Sequence, residues 1–225
     1  MITVHHLENS RSQRIVWLLE ELGVDYQIEH YQRDPATMLA PDSLKRLHPL
    51  GKSPLITDDE TDNVAVAESG AIIETLLARF DPDGHLSPPL DSPERQDYVF
   101  WLHHAEASGM PPLVMRLIFS RLGKPPVPAL VRPLGRRFAN GVEKQYLGPE
   151  ISRLRDFWEH SLAQHTWFAG DRFSAADIQM SFPVLALSGR GGLAGQPNLT
   201  AFLDRCRSRE AYQRAIARGG ELTLG

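Results

Sequence analysis

Over the first 80 positions of this 225-residue chain the apolar residues change period several times, and each change marks an element. Ile2–Leu7 is apolar and β-branched enough for a strand. Ile15, Leu18, Leu19 and Leu22 then recur at helical spacing, and Gly23 stands where a left-handed C-terminal cap is expected. Tyr26, Ile28 and His30 alternate along a second strand, so the first 31 residues form a β-α-β unit with a parallel pair and a right-handed crossover. Asp42–Leu47 predicts a short helix, 54–57 a strand, 58–63 a polar hairpin turn and 64–67 its returning partner. Ser69–Phe80 is a helix that turns Ile72, Ile73, Leu76, Leu77 and Phe80 inward. The predicted order is β-α-β-α-β-β-α.

Periodicity stops at 81–93, where four of the 17 prolines fall, the signature of a linker. Everything beyond has helical spacing: 94–119, a proline-rich break at 124–128, then 132–147, 149–164, a helix starting at Ser174 and a last one over 198–217. These patterns divide the chain into an α/β domain (1–80), a linker (81–91) and an all-α domain (92–225).

Composition narrows the function classes. The chain is 42% hydrophobic and 23% charged, ordinary for a globular protein, and no apolar run reaches the roughly 20 residues of a membrane span. The N-terminus lacks the basic and apolar regions of a signal peptide and reads as a strand. Cys206 is the sole cysteine, which excludes an intrachain disulfide, a CxxC redox pair and a cysteine-based metal cluster, and suits a reducing cytoplasm. The net charge of −4 lacks the basic footprint of a nucleic-acid binder. Residues 1–90 carry 15 acidic against 7 basic side chains and the remainder 13 against 17, opposite signs that suit packing of one half on the other, including across a dimer.

Candidate chemistry gathers at two places. Glu68-Ser69-Gly70-Ala71-Ile72-Ile73 sets an acid, a hydroxyl and a glycine at a helix start, where unpaired N–H groups and the dipole favour an anion. Ser69 can present hydroxyl and N–H to a carboxylate while Glu68 receives an ammonium. Lys52-Ser53-Pro54, some fifteen residues upstream, leaves backbone groups free to pair with an extended peptide. Together they suit a small zwitterionic peptide. The second place is the turn Glu8-Asn9-Ser10-Arg11-Ser12-Gln13-Arg14. Ser10 reads either as an N-cap forming a capping box with Gln13, worth about 1 kcal/mol, or as a donor that favours a thiolate. Asn9 and Ser12 are the other candidates for that donor. His103, His104 and Glu106 do not form a metal site: adjacent histidines on a helix point about 100° apart and no HExxH spacing occurs. Trp17, Trp101, Trp158 and Trp167 belong to core or interface.

These motifs resemble those of the soluble glutathione transferases along essentially the whole chain. His48-Pro49-Leu50-Gly51-Lys52-Ser53-Pro54-Leu55-Ile56 resembles the family's segment leading into its cis-proline. Ala67-Glu68-Ser69-Gly70-Ala71-Ile72 resembles its γ-glutamyl-binding motif. Gly170-Asp171-Arg172-Phe173-Ser174-Ala175-Ala176-Asp177-Ile178 resembles its buried N-capping box with hydrophobic staple. The Asn-Ser-Arg-Ser-Gln-Arg turn and the segment Trp101–Glu106 are most similar to a bacterial and fungal branch. The resemblance implies a thioredoxin-like N-terminal domain followed by a helical bundle, a cis Pro54, a Ser53 backbone pairing with the cysteinyl part of glutathione, and Glu68 and Ser69 holding its γ-glutamyl end. Lys52 would lie near the glycyl carboxylate, and the thiol-activating group would be Ser10, with Asn9 and Ser12 as alternatives. No tyrosine or cysteine stands on that turn, which argues against the tyrosine-type classes and against cysteine-type thiol transfer.

The implied activity is conjugation of the glutathione thiolate to a hydrophobic electrophile by a homodimer, with no metal and no cofactor beyond glutathione as co-substrate. One of His103 and His104, with Met110 and Arg116, would line the second-substrate cleft, or pack between helices. Glutathione-dependent peroxide or disulfide reduction, and a non-catalytic binding or regulatory protein, are the alternative readings on the same fold.

Overall fold

The computed structural model describes residues 1–35 and 37–223. Strand β1 (Ile2–Leu7) leads through a tight turn into helix α1 (Ser12–Leu22), which Gly23 ends with φ 64°, the left-handed cap its position predicts. Strand β2 (Tyr26–Tyr31) runs parallel to β1 in the register Ile2 with Tyr26 to Leu7 with Tyr31. After the short α2 (Asp42–Leu47), β3 (Leu55–Asp58) pairs antiparallel with β1, and β4 (Val66–Ala67) antiparallel with β3, giving the sheet order β2-β1-β3-β4. The returning strand is shorter than its sequence predicts. Residues 59–61 coil into a 3₁₀ turn, and Asp62 and Asn63 follow with φ 52° and 56°, so pairing resumes only at Val66. Helix α3 (Ser69–Phe80) buries Ile72, Ile73, Leu76 and Leu77 as its spacing requires, and leaves Phe80 half-buried.

The second half is helical: α4 (Arg95–His104), α5 (Met110–Ser120), α6 (Arg132–Val142), α7 (Gly148–Gln164), α8 (Ala175–Ser188), α9 (Pro197–Ser208) and α10 (Glu210–Gly219). Three boundaries differ from the predicted ones, each for a local reason. The single helix expected over 94–119 contains a π-turn at Ala105–Gly109, directly before Pro111 and Pro112, whose missing N–H groups break the regular ladder. A second π-turn, Glu143–Leu147, precedes Pro149 and joins α6 to α7. The helix expected over 198–217 divides at Arg209, which is extended (φ −71°, ψ 131°). Its guanidinium pairs with Glu21 at 2.6 and 2.8 Å and lies 3.7 Å from the Phe173 ring, and the bend lets α10 pack along α1.

One hydrophobic core runs through both halves, from Val4, Ile15, Leu18 and Ile72 to Trp101, Trp158, Ile178 and Phe202, and all four tryptophans are buried. Ser174 and Asp177 form the capping box of α8. Asp177 accepts hydrogen bonds from the Ser174 amide and hydroxyl at 2.9 and 3.1 Å, and from the Phe168 amide at 2.8 Å. No described helix is long and apolar enough to cross a membrane.

Candidate active site

The carboxyl end of β1, the Ser53–Pro54 corner and the start of α3 meet at one end of the sheet, and α1 departs from the same end. The Ser53–Pro54 bond is cis. Ser53 Oγ donates to the His5 carbonyl at 3.0 Å and accepts the Leu7 amide at 3.3 Å, which fastens the corner to β1. Ser10 Oγ lies 3.5 Å from Ser53 Oγ, so the two motifs found separately in the sequence share one site.

The capping box that is one of the two readings of Ser10 and Gln13 does not form. Helix α1 starts one residue later, with Arg11 in the cap position and no side-chain cap. Ser10 Oγ accepts the Ser12 amide at 3.2 Å, and the Gln13 side chain reaches instead to the Ala215 carbonyl at 3.0 Å. The other two donor candidates lie differently. Ser12 is fully buried and hydrogen-bonds His6 and the Leu7 carbonyl. Asn9 is exposed with φ 49°; its side-chain oxygen accepts the Thr223 amide at 2.8 Å and its carbonyl accepts from Arg33.

At the start of α3, Glu68 has φ 71° and ψ 125°, a conformation that costs a non-glycine residue on the order of 1–3 kcal/mol, and its carboxylate is exposed. Ser69 is buried and accepts a hydrogen bond from Arg14 Nη2 at 3.0 Å. Lys52 is exposed and forms no ion pair among the described residues. No hydrogen bond or ion pair joins Lys52 to Glu68 among the described residues.

Arg14, a candidate the motifs did not single out, is the centre of the arrangement. It is 2% exposed and donates to Ser69, to the Gln179 carbonyl at 2.9 Å and to Glu106 at 2.5 Å. Burial draws its guanidinium down to about 10, against the pull of Glu106, so it stays charged at neutral pH. Glu106, in the π-turn after α4, also takes Arg11 Nε on both oxygens at 3.0 and 3.1 Å. Burial pushes the Glu106 carboxyl up, but Arg14 and Arg11 outweigh it and hold it below the ordinary range. The visible signal for this cluster is a charge, Arg14, within an otherwise apolar helical stripe; its partner, 92 residues away, has no local signature.

The residues expected at a second-substrate cleft separate. His104 is buried among Phe100, Trp101, Phe157 and Trp158, and its Nε2 accepts the Trp158 indole N–H at 2.8 Å, so it packs between helices. Met110 is buried as well. Arg116 pairs with Glu143 at 2.6 and 3.1 Å, and His103 is exposed.

A four-stranded mixed sheet with a cis-proline corner, followed by a helical domain whose second long helix opens on a buried capping box, defines a thioredoxin-like domain joined to an all-α one. Family models for the glutathione S-transferase N-terminal domain and C-terminal domain match residues 10–79 and 112–210. Glutathione S-transferase 3 of Schizosaccharomyces pombe is 41% identical over 83% of this chain and 74% of its own length. Glutathione S-transferase 1 of Saccharomyces cerevisiae is 34% identical over 94% and 92%. A glutathione S-transferase crystal structure from Actinobacillus pleuropneumoniae superposes with a TM-score of 0.78 at 34% identity, covering 100% of this chain and 95% of the other. The chain belongs to the glutathione S-transferase family.

Proposed function

We propose that this protein is a glutathione transferase that binds reduced glutathione as its thiolate and directs it at a hydrophobic electrophile. The observation that carries the reading is the approach of Ser10 to Ser53 beside the cis-proline, with Ser69 tied to the same centre through Arg14. The extended cysteinyl part pairs with the Ser53 backbone at the Pro54 corner. The γ-glutamyl ammonium meets Glu68, its carboxylate meets Ser69, and Lys52 faces the glycyl carboxylate. Ser10 donates to the sulfur, because Ser12 is sealed inside and the exposed Asn9 side chain is turned to the Thr223 amide. Catalysis rests on proximity and thiolate stabilisation, with glutathione as co-substrate and no resident cofactor. The electrophile lies between the domains, against exposed His103 rather than buried His104. Residues 1–80 bind glutathione, 81–91 link, and 92–225 supply the electrophile side. A reducing cytoplasm suits the single buried cysteine.

Retention on immobilised glutathione, then parallel conjugation and peroxidase assays, tests the reading; no retention overturns it in favour of a non-catalytic protein. Glu68→Gln and Ser69→Ala should each weaken glutathione binding about tenfold or more, since each removes a partner of a charged group in a cleft, worth about 1.5–3 kcal/mol. Calorimetry that finds both variants unchanged contradicts the assigned peptide site.

The same proposal includes a homodimer, in which the acidic first half of one copy faces the basic second half of the other. Sedimentation at micromolar concentration and ordinary salt should show about twice the 25.2 kDa chain mass. A species of the chain mass alone rules the dimer out.

A further inference from the structure

We propose that His6 acts through Ser10 as the acceptor of the glutathione thiol proton, which reaches it along a relay of two hydroxyls. The inference rests on the reading of Ser10 as the sulfur's partner.

His6 is buried near the end of β1. Its Nε2 lies 2.8 Å from the Gly219 carbonyl, at the end of α10. A carbonyl only accepts, so Nε2 carries a hydrogen. The other nitrogen, Nδ1, lies 2.9 Å from Ser12 Oγ, and Ser12 Oγ lies 2.8 Å from Ser10 Oγ. Burial lowers the pKa of the ring, against the raising effect of the Gly219 carbonyl, so at rest the ring is neutral and Nδ1 is bare. Ser12 therefore donates to Nδ1 in preference to the Leu7 carbonyl at 3.3 Å, and Ser10 donates to Ser12 in preference to Ser53 at 3.5 Å. Both hydroxyls point inward, and the Ser10 proton faces away from a ligand.

When Ser10 turns its proton to a thiolate, the Ser10 and Ser12 oxygens are left facing each other at 2.8 Å with no hydrogen between them unless the chain reverses. Reversal without a further proton leaves bare lone pairs of Ser12 Oγ and Nδ1 facing each other at 2.9 Å. Reversal with one satisfies every atom. The thiol S–H bond breaks and its proton joins Ser10 Oγ, the Ser10 proton moves to Ser12 Oγ, and the Ser12 proton moves to Nδ1. The result is an imidazolium and a thiolate, each held by hydrogen bonds, with no proton lost to solvent.

The surroundings of His6 suit a proton that arrives only with a nearby anion. The His30 ring on β2 lies 5.6 Å away and disfavours the charge, α1 offers Ser12 and the uncharged Gln13, and α10 offers the Gly219 carbonyl. No ion pair to His6 forms among the described residues. Position 219 also lacks a side chain where one would not fit: a Cβ there would come within 2.5 Å of the Gln13 side-chain oxygen and 3.3 Å of His6 Cε1.

The test counts protons. Binding of glutathione to the wild-type protein is measured by calorimetry at pH 6 and pH 7 in buffers of different ionisation enthalpy, which gives protons released per glutathione bound. Ultraviolet absorbance gives the thiolate fraction. The relay predicts that release at pH 6 is less than half the thiolate fraction, and that this fraction levels off rather than falling tenfold per pH unit. In Ser12→Ala, release should equal the thiolate fraction and the fraction should fall with pH. One-for-one release in the wild-type protein overturns the relay while leaving the glutathione site intact, whether or not the variant folds. No binding heat and no retention on immobilised glutathione overturns the functional reading and the relay together.

Discussion

Ser10→Ala should raise the pKa of bound glutathione by about one unit or more, equivalent to at least about 1.4 kcal/mol, with little change in affinity. The Ser10 oxygen accepts the Ser12 amide at the start of α1, and once the thiol proton has entered the relay Ser10 carries a proton that faces the sulfur in a region of favourable helix dipole. Removing it takes away a donor used only by the ionised form. At neutral pH the thiolate fraction should drop by up to about tenfold, and kcat/KM for conjugation should drop with it while glutathione still binds. Ultraviolet absorbance across a pH titration of the complex reads the shift directly. An unmoved titration in Ser10→Ala removes Ser10 from the role, whatever Asn9→Ala does.

The parts of this molecule legible in its sequence are those decided within a few residues. The strand at Tyr26–Tyr31, the stripe Ile72, Ile73, Leu76, Leu77 and the cap at Gly23 each state a local preference that the tertiary structure keeps, although the alternation of β2 ends at Glu29, with His30 exposed and Tyr31 buried. So does the capping box of Ser174 and Asp177, because its partners lie three residues apart. Helix boundaries failed where two local rules competed. Apolar spacing carries a helix through 94–119, while Pro111 and Pro112 remove two ladder donors, and the chain resolves the conflict with a π-turn rather than a stop. The break at Arg209 depends on Glu21, 188 residues away, and has no local sign.

The candidate site divides in the same way. The Lys52-Ser53-Pro54 corner and the start of α3 are contiguous motifs, and the cis state of Pro54 is implied by the family resemblance rather than by spacing. Which hydroxyl of the turn faces outward is set by long-range contacts instead: His6 draws Ser12 inward, and Thr223 occupies Asn9. Adjacent histidines on α4 looked equivalent in sequence, yet the Trp158 indole takes one of them into the core.

Glu106→Ala should be among the most destabilising single changes in the protein, by about 3–5 kcal/mol in urea unfolding, because it leaves the Arg14 guanidinium charged, buried and without a counter-ion. Arg11 loses the same partner at little cost, since it is about one-third exposed and water replaces the carboxylate. The double variant Arg14→Met, Glu106→Leu separates stability from function. Replacing a buried pair by apolar groups of similar volume is commonly neutral or stabilising, so most of the lost stability should return. Glutathione binding should not return, because the Ser69 hydroxyl then lacks the Arg14 donor that fixes it at the start of α3. A loss below about 1 kcal/mol in Glu106→Ala would show that the pair does not carry a buried charge. Wild-type affinity in the double variant would show that Ser69 needs no support from Arg14, and that the ion pair serves the packing of the two domains rather than the peptide site.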